Sequence, residues 1–551
     1  MNKSENKPHI RLSESYFEYV ARHFPVMCAS DEFYFLPRAQ AAADYYDRLD
    51  DFGSQAIERR IAKLKEFQKD FSGFADQSHD LEIRIDLELL QANIAGILIE
   101  LEQKHTWQYN PMLYLKIAFI GLDHALTKPA ADEGERTQRA LSRLAAIPGL
   151  LKQAINNISS IPESYHQASR MMLADCRQYL AQVGSDLLAL AGKSTELLST
   201  CLTSALAALK AMDAFLTAVT VKPDEHFATG TLSTTLKDHF LSVRSVEDIY
   251  RMAVEDWEIN LDQLAMLGSR IDPAVTWQEL YHNYLPSEID TDDTLFLYRE
   301  EIKRLRLFFS RLSFSTADLN RSVEILDTPP YLRSVRGAAS FAAAFSVDER
   351  EKSYFYITTH LAGRSTDQAG ALLKKRFHRE YKMLTAHETI PGHHFLDSIR
   401  RRLENPVRRQ IESPLFYEGW ATYAEFLLVE SGYVHTPMDL LVDLKRNLWR
   451  SARCQVDVGL TTDKIKTEEA IHLLKVCGFS VEEARRQIDR FRLNPGYQLC
   501  YSLGCRELKQ LKASCGGHMK ETKFHKFVLE GGELPFHLIK KRFDNYCAPE
   551  K

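Results

Sequence analysis

Apolar residues three and four apart recur through roughly the first 320 residues, and that period commits the chain to helices packed on one another. Leu81 to Glu102 (LEIRIDLELLQANIAGILIELE) and Thr137 to Ile147 (TQRALSRLAAI) carry the pattern most clearly. Ser194 to Thr217 is rich in leucine and alanine, both strong helix formers. Breaks are expected at Asn110-Pro111, Ile147-Pro148-Gly149, Ile161-Pro162 and Lys222-Pro223, where proline removes a backbone donor. No segment repeats at a fixed period, which argues against a solenoid. The texture changes near Thr328-Pro329-Pro330, after which the aromatic and β-branched run from Ser353 to Thr359 reads as a strand. Helical patterning resumes near Lys374 with no flexible linker in between. The expected fold class is therefore mainly α. A helical scaffold lobe over 1–330 and a second lobe over 331–551 should pack as one compact unit.

Bulk properties narrow the function more than the fold. With 70 basic against 75 acidic residues, the net charge of −5 gives no reason to expect nucleic acid or an acidic membrane surface as partner. The local basic runs Lys374-Lys375-Arg376, Arg400-Arg401-Arg402 and Arg408-Arg409 read as solvated helix faces. No run of eighteen apolar residues suggests a membrane span, and the first twenty residues lack the apolar core of a secretory signal. The nine cysteines are odd in number and form no CxxC pair, so reduced thiols and a cytoplasmic location are expected.

The chemistry concentrates in Ala386-His387-Glu388-Thr389-Ile390-Pro391-Gly392-His393-His394. A helical zinc peptidase normally offers two histidines four apart on one face, with a glutamate between them to deprotonate water. Here the position four after His387 is Pro391, which binds no metal and breaks the helix. If the helix were regular, His394 would return to the His387 face, being nearly two turns on. If a local bulge absorbed two residues, His393 would take the second ligand position instead. His393 is favoured, because glycine directly before the ligand histidine occurs in some helical zinc peptidases; His394 stays as the alternative. Glu418, in Phe416-Tyr-Glu-Gly-Trp-Ala-Thr-Tyr-Ala-Glu425, is the candidate third ligand. Glu425 lies seven residues later on the same helical face, placed either to bind the metal or to orient a histidine.

These residues resemble the domain-of-unknown-function 885 group, which is related to helical gluzincin metallopeptidases with a glutamate third ligand. The resemblance rests on His387 to His394, Glu418 to Glu425, Arg450 and Arg453 leading to Asp457-Val-Gly459, and Pro495-Gly496 followed by Tyr501 and Gly504, in that order. Looser likeness reaches back to His226-Phe-Ala-Thr-Gly230. Thr461, where members often carry histidine, and Tyr497-Gln498, where Gln-Ala is commoner, depart from the pattern at positions expected to line the cleft. The resemblance implies a thermolysin-like helical core with a deep cleft suited to short substrates. Zinc would be held by His387, His393 and Glu418, with Glu388 as general base. Tyr501 is the motif-based candidate for stabilising the oxyanion, ahead of Arg453 and Tyr423. Tyr423, Arg453 and Tyr356 are the expected substrate contacts, and the strand from Tyr354 to Thr359 could pair with an extended substrate. The expected activity is hydrolysis of a peptide or amide bond. A non-catalytic helical peptide-binding protein, or a non-haem metal enzyme with a His-His-Glu site, is the alternative.

Overall fold

The computed structural model describes residues 8–190, 195–224, 231–289, 291–312, 314–333, 336, 339–346, 348–358, 367–515 and 519–547. The motif His226 to Gly230 lies outside them, as does Thr359. The described chain is mainly helical, with five short strands. β1 (Ser160–Pro162) and β2 (Thr220–Lys222) form a small parallel pair. β3 (Val323–Asp327), β4 (Ala339–Ala342) and β5 (Ser353–Ile357) form a second sheet in the order β3-β5-β4. β5 runs parallel to β3, with Ile325 opposite Phe355, and antiparallel to β4, with Phe341 opposite Phe355.

Proline acts differently at its several sites. Pro111 opens the helix Pro111–Thr127, where its missing N–H costs nothing. Pro148, expected to end a helix, sits inside Glu133–Asn157. Buried Leu144, Ile147, Leu150 and Leu151 flank it, so packing holds the helix together across the lost hydrogen bond.

Position 330 does not divide the packing. β3 precedes it and β5 follows it, so the sheet straddles the expected lobe boundary. One continuous apolar cluster runs from Tyr16 to Phe543. Buried ion pairs cross as well: Arg38 with Asp397 at 3.1 Å and Arg408 with Asp86 at 2.7 Å. Two of the basic runs are therefore not solvated faces throughout. Arg400 and Arg408 are buried, and each has an acidic partner that offsets the cost of desolvation.

One helix, Thr195–Ala218, is long and apolar enough to cross a membrane by length and composition. Its buried residues Leu198, Cys201, Leu202, Ala205, Leu209, Met212 and Leu216 recur three and four apart, the spacing of a helix docked along one face. All nine cysteines are unpaired and all but Cys547 are buried.

Candidate metal centre

Three helices and a turn build the site. The His387 helix (Asp367–Glu388) stops at Glu388, and a new helix (His393–Arg400) begins after a short turn. The residues that a bulge was expected to absorb are taken up by this break. Gly392 donates its N–H to the Ala386 carbonyl at 2.9 Å, folding the turn back on the helix end. A Cβ at Gly392 would lie 1.9 Å from the His387 carbonyl oxygen, so only glycine fits there. Trp420 pins the turn from the Glu418 helix (Pro414–Glu430), its indole N–H donating to the Pro391 carbonyl at 2.8 Å.

The break brings His393, and not His394, to the His387 ring. The two imidazoles lie 4.9 Å apart at near right angles. Nε2 of each is 3.5 Å from Glu418 Oε2. His394 points elsewhere, with its Nε2 3.1 Å from the Arg321 carbonyl. One ligand atom from each of His387, His393 and Glu418 lies within 4.8 Å of the others, and all three residues are buried.

This donor set fits a metal ion. Glu418 Oε2 is buried with no well-formed hydrogen bond to it. A buried carboxylate oxygen left unmatched costs free energy unless something absent from the polypeptide satisfies it. The 3.5 Å separations match the edge of a tetrahedron with ~2.1 Å bonds, about 3.4 Å, and two imidazoles with a carboxylate are ligands zinc accepts.

The surroundings fix the three candidate ligands. His387 Nδ1 is 2.9 Å from Glu425 Oε1, which turns Nε2 toward Glu418. Glu425 is held in turn by Arg446 at 2.8 Å and by Arg450. Burial pushes the Glu425 carboxyl up, but the two guanidinium groups outweigh burial and hold it well below the usual range. Burial likewise raises Glu418, and the neighbouring imidazoles of His387 and His393 reverse the shift. Burial lowers His387, whereas Glu418 and Glu425 raise it to about 9 without a metal. Burial raises the Glu388 carboxyl, although the two nearby histidines and the Phe341 backbone pull it down. Changing Glu425 to Gln should weaken metal affinity by about 10–100-fold, the usual cost of losing a ligand-orienting group. It should also lower thermal stability, because Arg446 and Arg450 lose a shared counter-charge. Metal titration and a melting curve check both.

A cleft of about 460 Å³ opens over this cluster. His387, Glu388, His393 and Glu418 form part of its wall, together with Arg453, Tyr497, Gln498 and Tyr501. The Tyr501 ring stacks 6.2 Å from that of His387, and the Tyr497 hydroxyl donates to Glu418 Oε1 at 2.7 Å. Three expected contacts lie elsewhere. Tyr423 is buried on another face of its helix, with its hydroxyl 3.0 Å from His525 Nε2. Tyr356 lines a separate small cavity, with Arg336 over its ring. Thr461 lines a third cavity away from the cluster. Nor can β5 pair with a substrate, since β3 and β4 occupy both its edges. The strand bordering the cleft is β4, through Ala339, Ser340 and Phe341. The sequence reading also missed Tyr417, whose ring lies flat on His393 at 4.0 Å. Its only sequence signal was adjacency to Glu418.

Fold and site together define a mainly helical protein with a buried two-histidine, one-glutamate cluster in the wall of a cleft. The chain belongs to the family described as "Bacterial protein of unknown function (DUF885)", whose model matches residues 37–543. No curated protein matches it. Among the solved structures that share the fold are two described as a "putative lipoprotein". That from Shewanella oneidensis, of unknown function, is 19% identical with a TM-score of 0.76, covering 96% of this chain and 98% of its own. That from Colwellia psychrerythraea is 17% identical with a TM-score of 0.68, covering 97% and 99%.

Proposed function

We propose that this protein is a zinc-dependent hydrolase that cleaves a peptide or amide bond in a short substrate, on a helical gluzincin-type core. The observation that carries the reading is the convergence of His387, His393 and Glu418 beside Glu388, all in the wall of one cleft. Zinc, when bound by those three residues, supplies a Lewis acid and lowers the pKa of water. The Glu388 carboxylate takes the proton from the attacking water and returns it to the leaving amine nitrogen. The Tyr501 hydroxyl donates to the carbonyl oxygen as it gains charge. Tyr417 and Glu425 hold the two imidazoles, so the ligand set is preorganised.

Metal analysis of the purified protein, paired with digestion of a short-peptide library, tests the reading. About one equivalent of zinc is expected. His393→Ala should lose it and His394→Ala should keep it, given the direction of each ring. Iron in place of zinc, with oxygen consumption, would replace hydrolysis by oxygen chemistry at the same ligands.

We also read the compartment as cytoplasmic, on the strength of nine unpaired cysteines. The lipoprotein descriptions apply to the two structural relatives. Cell fractionation decides, and recovery of this protein in a membrane or envelope fraction would overturn the reading.

A further inference from the structure

Most cations in the cleft wall already have partners. Lys104 pairs with Glu100, Lys116 with Glu32, Arg336 with Asp31, Arg376 with Glu380, and both Arg446 and Arg450 with Glu425. The two remaining lining cations, Arg453 and Arg490, make no ion pair or hydrogen bond through their side chains among the described residues.

Arg453 is the more telling of the two. It is only 8% exposed, and its Nε is buried without an acceptor. Its guanidinium lies 3.5 Å from the centre of the Tyr501 ring and 4.7 Å from that of Trp449. Aromatic faces fix the plane of a guanidinium and attract its charge, but they satisfy none of the in-plane N–H donors. Burial pulls Arg453 down to about 10, which still leaves it charged at neutral pH. A buried cation in a cleft wall that finds no ion-pair partner is costly unless the ligand of that cleft supplies one. Arg490, exposed to solvent on the wall of the same cleft, adds a second unpaired charge.

We propose that Arg453 and Arg490 together dock a carboxylate of the substrate, so the site selects short peptides or amides that carry a negative charge close to the bond cut. This rests on reading the cleft as that of a hydrolase. Tyr501 lies between the two functions, stacked on Arg453 and 6.2 Å from the His387 ring. The docked carboxylate therefore sits within roughly three extended residues, at ~3.5 Å each, of the cluster. A planar guanidinium and a carboxylate form paired hydrogen bonds, which fix orientation as well as affinity. The carboxylate can come from a free C-terminus or from an aspartate or glutamate side chain.

Three pools of N-acetylated tripeptides separate these cases: free C-terminal acids without acidic side chains, C-terminal amides with Asp or Glu, and amides with neither. Glu388→Gln protein serves as the trap, and mass spectrometry reads what it retains. At least one carboxylate-bearing pool should be retained about 10–100-fold above the uncharged pool, as expected for a charge-assisted contact. Enrichment of the first pool alone assigns a C-terminal carboxylate, and enrichment of the second an acidic side chain. Arg453→Gln and Arg490→Gln, each made in the trap, should cut that enrichment about tenfold or more, and Arg453→Lys should restore part of it. Arg490 is exposed, so its variant reports even if Arg453→Gln fails to fold. Equal retention of all pools, no retention of any, or enrichment that survives the Arg490 change overturns the proposal. Wild-type protein incubated with the same pools keeps the two readings apart. Cleavage blind to charge removes the carboxylate site alone, while charge-selective retention with no cleavage removes the hydrolase alone.

Discussion

Glu388→Gln should lower turnover a hundredfold to ten-thousandfold, the range expected on losing a positioned general base. Zinc content and retention of peptides should stay near those of the wild type. The separation follows from placement. Glu388 lines the cleft beside the cluster but contributes no ligand atom to it. Glutamine keeps nearly the same shape and loses only the charge and the basic oxygen. What it cannot do is take a proton from water. Steady-state rates on a cleaved peptide, with metal analysis of the same preparation, give the result. Turnover within about threefold of wild type would remove Glu388 from the chemistry. Loss of metal alongside activity would instead make it a structural element of the centre.

How far the sequence revealed this arrangement depended on distance along the chain. His387 and Glu418 could be picked out as candidate ligands, and Glu388 as a candidate base beside them, because that chemistry calls for particular residue types at helical spacings. Pro391 excluded the regular spacing without saying where the chain would go. The answer lay in Gly392, whose missing side chain admits the His387 carbonyl and lets the new helix start at His393. Glu425, seven residues after Glu418, shares its helical face, as its contact with His387 shows. Tyr423 follows Glu418 by five residues, about 140° around the helix at ~100° per residue, and so looks away from the cleft. Helical geometry contained that answer, and the motif resemblance drew attention from it. The place of β5 was illegible for another reason. A run such as SYFYI states a preference for strand but not for centre or edge, which depends on β3 and β4 arriving from elsewhere in the chain. The packing of Tyr34 on Tyr497 at 5.3 Å, across more than four hundred residues, belongs to the same class.

Gly504→Ala should destabilise the protein by about 3 kcal/mol or more and abolish the proposed zinc binding, although residue 504 is not among the three candidate ligands. The Glu418 helix and the Tyr501 helix (Leu499–Cys515) cross with their backbones in contact. A Cβ on Gly504 would fall 2.2 Å from the Leu415 carbonyl oxygen, and one on Gly419 would fall 2.6 Å from Gly504 Cα. Backbone atoms cannot swing aside as a side-chain end can, so the helices must part. Glu418 adjoins the crossing on one helix and Tyr501 lies one turn away on the other. Separating the helices therefore moves the candidate ligand Glu418 and the Tyr501 hydroxyl together. Gly73→Ala is the matched control. Its Cβ would meet nothing within 4 Å, in an exposed stretch of the helix Ser54–Gln77, so it should stabilise by about 0.5–1 kcal/mol. Thermal melts and zinc content of the three proteins decide the matter. If Gly504→Ala melts and binds zinc like the wild type, the close crossing does not set the site. If it melts early yet keeps its zinc, the crossing supports the fold, while the ligand triad is held by the Pro391-Gly392 turn and Glu425 alone.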